Sequence, residues 1–248
     1  MRKWMDLNAD LGEGAPHDAA LMTLVSSCNI ACGGHAGDAE SMLAALTLAK
    51  TYNVSPGAHP SYPDRAGFGR RRQTLSPDEL ESTLTKQIKT LNAIAVQIGT
   101  PLTHLKPHGA LYNQAAEDAG LASQIARLTQ TLLPRAYLVG PPGSALTDAA
   151  ATCDLKFLAE GFADRAYTEA GTLVPRDEPG AVLGTDSART QQALSIAQDQ
   201  CVEAITGKII PLPAQTLCLH GDSDGALSSA RHIAAALNKA GFTLRAPE

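Results

Sequence analysis

The chain has 248 residues, 44% of them hydrophobic, and a formal net charge of -5. This length suits one large domain over 1–248, because β/α barrels reach such a size as single units. The acidic balance argues against nucleic acid and anionic membrane as partners, and no apolar stretch approaches a membrane span. The first residues also lack the apolar run of a signal peptide, so a cytoplasmic location is expected.

The first strand-like run is Met5 to Asp10. Period-two alternation puts Asp6, Asn8 and Asp10 on one face and Leu7, Ala9 and Leu11 on the other. A second run, Cys28 to Ala31, leads into Gly33-Gly34-His35-Ala36-Gly37-Asp38. Backbone N–H groups at Gly33 and Gly34 are candidates to cradle a carboxylate or phosphate, while Asp38 reads equally as a helix N-cap. The turn lacks both the P-loop lysine and dinucleotide spacing. Cys28, Ile30 and Cys32 share a strand face, which favours packing over a zinc site, and five scattered cysteines do not form a disulfide framework.

A helical pattern over Ser41 to Thr51 precedes a strand at Val54 to Ala58 that leads to His59. Ser76 caps the next helix, Pro77 takes its first position, acids follow, and Gly99 ends it after Ile98. A strand at Leu102 to Lys106 places His104 and Lys106 on one face and leads to His108; Gly109 to Asn113 then turns the chain away. A helix over Leu121 to Leu132, a strand at Ala136 to Val139 and a strand at Leu155 to Ala159 follow, the last leading to Glu160, Asp164 and Arg165. A helix over Ser187 to Thr206, a strand at Thr216 to Leu219 leading to His220 and Asp222, and a helix ending at Ala240 complete the order. About seven strands alternating with helices predict an α/β fold, a parallel β/α barrel whose working residues gather at the strand ends. The long connections His59 to Gln73 and Tyr167 to Gly180 read as lids or docking surfaces, or as plain irregular loops.

Asp10, His59 and His108 form a candidate metal set, since an acid with two histidines is a common ligand group; the competing reading gives them hydrogen-bonding and capping roles. Lys106 is a candidate to hold a substrate carboxylate or stabilise an oxyanion, or else to neutralise Asp6 or Asp10. Glu160 and Arg165 suit acid/base chemistry and substrate fixing, against a local ion pair with Asp164, and His220 is an acid/base candidate. Asn8, Asn29, Gly33, Gly34, His35 and Asn113 complete the candidate substrate contacts. His17, in an early loop, and His232, on a helix where a surface or structural role is the default, rank low as candidates. There is no G-x-S-x-G elbow and no activated cysteine, which disfavours a covalent route.

Seven segments together resemble the LamB/YcsF family. They are DLNADLGE at Asp6 to Glu13, NIACGGHAGD at Asn29 to Asp38, GAHPSYPD at Gly57 to Asp64 and GFGRR at Gly67 to Arg71. KPHGALYN at Lys106 to Asn113, EGFADRAY at Glu160 to Tyr167 and LCLHGDS at Leu217 to Ser223 complete the set. The resemblance implies an irregular seven-stranded, TIM-like β/α barrel of the glycoside hydrolase/deacetylase type. It also implies the A subunit of a 5-oxoprolinase, which opens the 5-oxoproline lactam to glutamate with ATP and B and C partner subunits. Relatives of this fold hold a divalent metal with one Asp and two His, an analogy that again falls on Asp10, His59 and His108. A stand-alone metal-dependent deacetylase or amidase and a non-catalytic carrier subunit are the alternatives, and a homo-oligomer is left open.

Overall fold

The computed structural model describes residues 4–220 and 225–247. Seven parallel strands close into a barrel: β1 (Trp4–Leu11), β2 (Ser27–Ala31), β3 (Ser55–His59), β4 (His104–Leu105), β5 (Tyr137–Gly140), β6 (Phe157–Phe162) and, after a hairpin, β9 (Thr216–Leu219). The hairpin is β7 (Cys201–Glu203) with β8 (Ile209–Pro211), and a short β10 (Thr243–Leu244) pairs outside β1 at Trp4 and Met5. The ring closes where β9 pairs with both β1 and β6. Among the described residues eight helices surround it: α1 (Asp18–Met22), α2 (Ala39–Tyr52), α3 (Pro77–Gln97), α4 (Gly109–Glu117), α5 (Ala119–Leu132), α6 (Ala145–Thr152), α7 (Asp186–Asp199) and α8 (Ala226–Lys239). None of these is long and apolar enough to cross a membrane.

The alternation in β1 sorts its side chains as the sequence pattern predicts. Leu7, Ala9 and Leu11 are fully buried in the apolar layer, together with Leu46, Leu91 and Ile233 of α2, α3 and α8. Asp6, Asn8 and Asp10 point inward, and every inward polar group must find a partner because water is scarce there. Asp6 accepts from Ser26 Oγ (2.6 Å), Ser27 Oγ (2.8 Å) and Thr216 Oγ1 (2.6 Å). Asn29 donates through Nδ2 to Asn8 Oδ1 and Asp10 Oδ1, and its own Oδ1 lies 2.8 Å from His104 Nε2. β3 leaves room for that imidazole by placing Gly57 opposite His104, where a Cβ would overlap the ring. This polar stack forms the floor beneath the carboxyl ends of the strands.

Local signals set the helix ends. Ser76 and Glu79 cap α3 reciprocally, and Asp38 with Ser41 does the same for α2. Three expectations need correction. The helix expected to reach Thr206 stops at Asp199, because Gln200 turns left-handed (φ 54°) and Cys201–Glu203 enters the hairpin. Gly109 to Asn113 starts α4 and is not a simple turn, while α6 lies in a stretch with no expected element. The Asp222 and Ser223 readings fall outside the described residues.

Candidate active site

A cavity of about 840 Å³ opens at the carboxyl end of the barrel. Asp10, His59, Lys106, His108, Glu160 and His220 all line it, although they come from five different strands or the loops that follow them. Asn113 and Arg165 stand on its wall, and Thr168 with Ala170 to Asp177 from the long loop after β6 forms one side. Arg165 anchors that loop by donating to the carbonyls of Ala181 and Val174.

Lys106 is the charged centre of the floor. Its Nζ lies 3.0 Å from Asp10 Oδ1, 2.9 Å from Glu160 Oε1 and 3.0 Å from Cys218 Sγ. Burial alone would release its proton, but Asp10 and the other electron-rich neighbours hold the ammonium well above the ordinary lysine range. Burial likewise works against the Asp10 carboxylate, and Lys106 followed by His59 holds it well below its usual value. Among the described residues, neither the second Glu160 oxygen, Oε2, nor the buried hydroxyl of Tyr112 makes a hydrogen bond of good geometry. Burial and the Glu160 charge beside it keep that phenol protonated, with its ring edge-on to Phe162.

Across the cavity His220 stacks on Phe162, its Nδ1 2.8 Å from Asp164 Oδ2. Burial would raise Asp164, and His220 reverses the shift and lowers it. The pair fixes which imidazole nitrogen faces away from the carboxylate.

Beside Asp10 lies a cluster that the sequence reading divided differently. Glu13, His35, His59 and His108 bring one ligating atom each within 4.8 Å of one another, and among the described residues this is the group able to hold a metal. Asp10 stands just outside it, its Oδ2 3.4 Å from His59 Nε2 and its Oδ1 committed to Lys106 and Asn29. The rings of His35 and His108 stack at 3.6 Å, and Phe68 packs edge-on to both. Phe68 takes a left-handed φ of 54°, and its carbonyl lies 2.9 Å from His108 Nε2. Gly69 follows against His35 and His108, where a Cβ would crowd both side chains. The glycine-rich 60–73 connection is therefore the back wall of the histidine cluster, and Arg70 and Arg72 extend from it to the cavity.

Several expected contacts lie elsewhere. Asn8 and Asn29 sit below the floor with their amides engaged by Glu160, Thr216, Asp10 and His104, so they position the charged groups. The Gly33–Gly34 turn closes on itself through Gly33 N–H to Ala36 O, and Gly34 packs against Ser61 and Gln87, away from the cavity. His35 is buried behind His108 and does not line the cavity. Cys28 is buried in the apolar layer, and Cys32 Sγ accepts the His59 N–H. His17 precedes α1 without a capping bond, and His232 is exposed on α8 near Asp186. Two residues escaped the sequence reading as candidates: Glu13, which follows Gly12 beyond the strand end, and Tyr112, which lies on the unexpected α4.

Comparison with known proteins agrees with this geometry. A crystal structure of the lactam utilization protein from Thermus thermophilus is 39% identical, covers 98% of this chain and 100% of its own, and superposes with a TM-score of 0.92. The catalytic domain of a peptidoglycan N-acetylglucosamine deacetylase from Eubacterium rectale shares the fold at 12% identity (TM-score 0.55, 100% of this chain and 90% of that one). So does the T48 deacetylase at 13% identity (TM-score 0.52, 98% and 87%). The LamB/YcsF family matches residues 5–248. Matched from its first strand to its last residue, the chain belongs to the LamB/YcsF family.

Proposed function

We propose that this chain is the A subunit of a 5-oxoprolinase, opening the 5-oxoproline lactam to L-glutamate together with B and C subunits and ATP. The observation that carries the reading is the full-length likeness to a lactam utilization protein. The cavity supports it, because fixed charges and a histidine–carboxylate pair converge there on one space.

A five-membered lactam is an unreactive amide, so opening it needs a polarised carbonyl or a better leaving group. Transfer of the ATP γ-phosphoryl to the amide oxygen, with ADP leaving, activates the ring carbon toward water; breaking the C–N bond then leaves an acyl phosphate, which a second water hydrolyses to glutamate and inorganic phosphate. The chain has no P-loop or dinucleotide fingerprint, and the phosphoryl transfer is assigned to the partners. Lys106 offers a fixed positive charge to oxygen as it gains negative charge during attack by water. Asp10 and Glu160 hold that ammonium in place, and Glu160 Oε2 is an acceptor for the ring N–H. His220, its Nδ1 held by Asp164, gives a proton to the leaving nitrogen as the C–N bond breaks. A divalent metal at the neighbouring histidine cluster, when bound, would polarise a carbonyl or lower the pKa of a water.

The test is glutamate formation from 5-oxoproline by the chain alone and with B and C, each with and without ATP. Turnover is expected only in the complete mixture, and His220→Ala should lower kcat about 10²-fold or more, the scale of general acid catalysis. The histidine–glutamate cluster also favours a second reading, a stand-alone metal-dependent amidase or deacetylase. Chelator-sensitive turnover by the isolated chain without ATP would select it. Undiminished turnover in Asp10→Ala and His220→Ala complexes would instead select a carrier subunit.

A further inference from the structure

The hydrogen bonds around the histidine cluster fix where its protons lie. His59 Nδ1 is 2.8 Å from the Lys106 carbonyl oxygen, and His108 Nε2 is 2.9 Å from that of Phe68. A carbonyl only accepts, so both of these nitrogens carry hydrogen. The opposite nitrogens of the neutral rings, His59 Nε2 and His108 Nδ1, then hold lone pairs, yet they face each other at 2.9 Å. Glu13 Oε1 adds negative charge to the same spot, 3.5 Å from His108 Nδ1, 4.0 Å from His59 Nε2 and 2.9 Å from His35 Nε2. All four side chains are at most 7% exposed, so water screens this convergence of electron pairs poorly.

Such an arrangement calls for a cation at its centre. Protons serve the cluster only pairwise, one shared by His59 and His108 and one on His35 Nε2 donated to Glu13 Oε1 at 2.9 Å, whereas a metal at the centre serves all four donors at once. A four-coordinate metal with bonds of about 2.0–2.1 Å needs donor–donor edges of roughly 3.3–3.4 Å. Four of the six donor separations, 2.9, 2.9, 3.5 and 4.0 Å, straddle that length, and all six lie within 4.8 Å. We propose that Glu13, His35, His59 and His108 bind one divalent transition metal in tetrahedral coordination, with Asp10 outside the coordination sphere as the counter-ion of Lys106. This deepens the proposed function and rests on it only for the use made of the metal: with four protein ligands, a carbonyl or water would reach the metal only as a fifth ligand, an expansion that zinc sites allow. Three imidazoles and one carboxylate select zinc, cobalt or nickel over the all-oxygen cations magnesium and calcium. The two carbonyls that orient His59 and His108 are the outer partners such ligands require. Glu13, His59 and His108 line the cavity and His35 does not, so three of the four ligands face the substrate side and His35 closes the site from behind.

The experiment titrates chelator-stripped chain with Zn²⁺, Co²⁺ and Mg²⁺ by calorimetry and visible spectroscopy, independently of lactam turnover. One equivalent of Zn²⁺ or Co²⁺ is expected to bind. Co²⁺ should give the intense visible absorption of a tetrahedral site, and Mg²⁺ should not compete. Glu13→Gln and His35→Ala should each weaken Zn²⁺ binding about 10-fold or more, while Asp10→Asn keeps one equivalent and the tetrahedral spectrum. The proposal falls if the stripped wild-type chain binds no Zn²⁺, if the Co²⁺ spectrum is pale and octahedral, or if Asp10→Asn abolishes binding while Glu13→Gln does not. Where circular dichroism shows that His35→Ala fails to fold, the near-isosteric Glu13→Gln decides.

Discussion

Replacing Lys106 with methionine keeps most of the side-chain volume and removes the ammonium between Asp10 and Glu160. Breaking a buried ion pair by deleting one partner costs about 3–5 kcal/mol, because the remaining charge stays buried without compensation. The lower end of that range applies here, since Asn29 still donates to Asp10 and Asn8 to Glu160. A loss of about 3 kcal/mol is therefore expected from urea unfolding at about pH 8. The deficit should shrink in mild acid. Without Lys106 a carboxylate of the folded state has its pKa raised above the unfolded value, so the fold takes up a proton that the unfolded chain does not. Stability relative to wild type then returns as pH falls below the raised pKa, by about 1.4 kcal/mol per unit. A deficit under about 1 kcal/mol at high pH, or one that is the same at about pH 5 and pH 8, would refute a charged floor held by Lys106.

Two further outcomes follow from the polar stack beneath that floor. Gly57→Ala forces a methyl group into the His104 ring, which Asn29 and Thr103 hold in place, and should cost about 1–3 kcal/mol or more by thermal unfolding. Gly184→Ala, whose Cβ meets nothing, should change stability by no more than about 0.5 kcal/mol, so equal effects would contradict the steric account. Burial and then the Lys106 charge lower the His104 pKa to about 3. Its folded pKa lies below the unfolded value of about 6.5, so the contribution is complete above that value and is lost as pH falls toward 3. Unfolding midpoints should decline across that window, and more shallowly in His104→Gln; identical slopes would remove His104 from the acid sensitivity.

The barrel and the core of its site were legible because both depend on short-range pattern. Alternation in Met5 to Asp10 separated the inward acids from the outward leucines, and polar residues at the carboxyl ends of β1, β3, β4, β6 and β9 met at one rim because parallel strands share a direction. Glu13 was missed because Gly12 breaks the alternation with φ 74°, so no period-two count reaches the next residue; the acid directly after that glycine was the available signal. Tyr112 was missed with α4, which opens on a glycine at φ 54° and carries no capping side chain. Cys201–Glu203 was absorbed into the helix expected to reach Thr206, and Ile209–Pro211 fell between expected elements, because three-residue strands are too short to show a period. The substrate roles expected for Asn8 and Asn29 depended on which side of the floor they occupy, and that depth is set by strand register.

The position of β9 between β1 and β6 carries a consequence for biosynthesis. Thr216 is the keystone: it bonds Asp6 and Asn8 near the start of the chain and lies in register with Glu160. A nascent polypeptide leaving the ribosome cannot seal the ring until Thr216–Leu219 has emerged, so contacts of very high sequence separation come last and folding should be slow. Until then an open edge of β1 remains available for pairing with other chains, which makes incomplete translation products of this protein a natural load for chaperones.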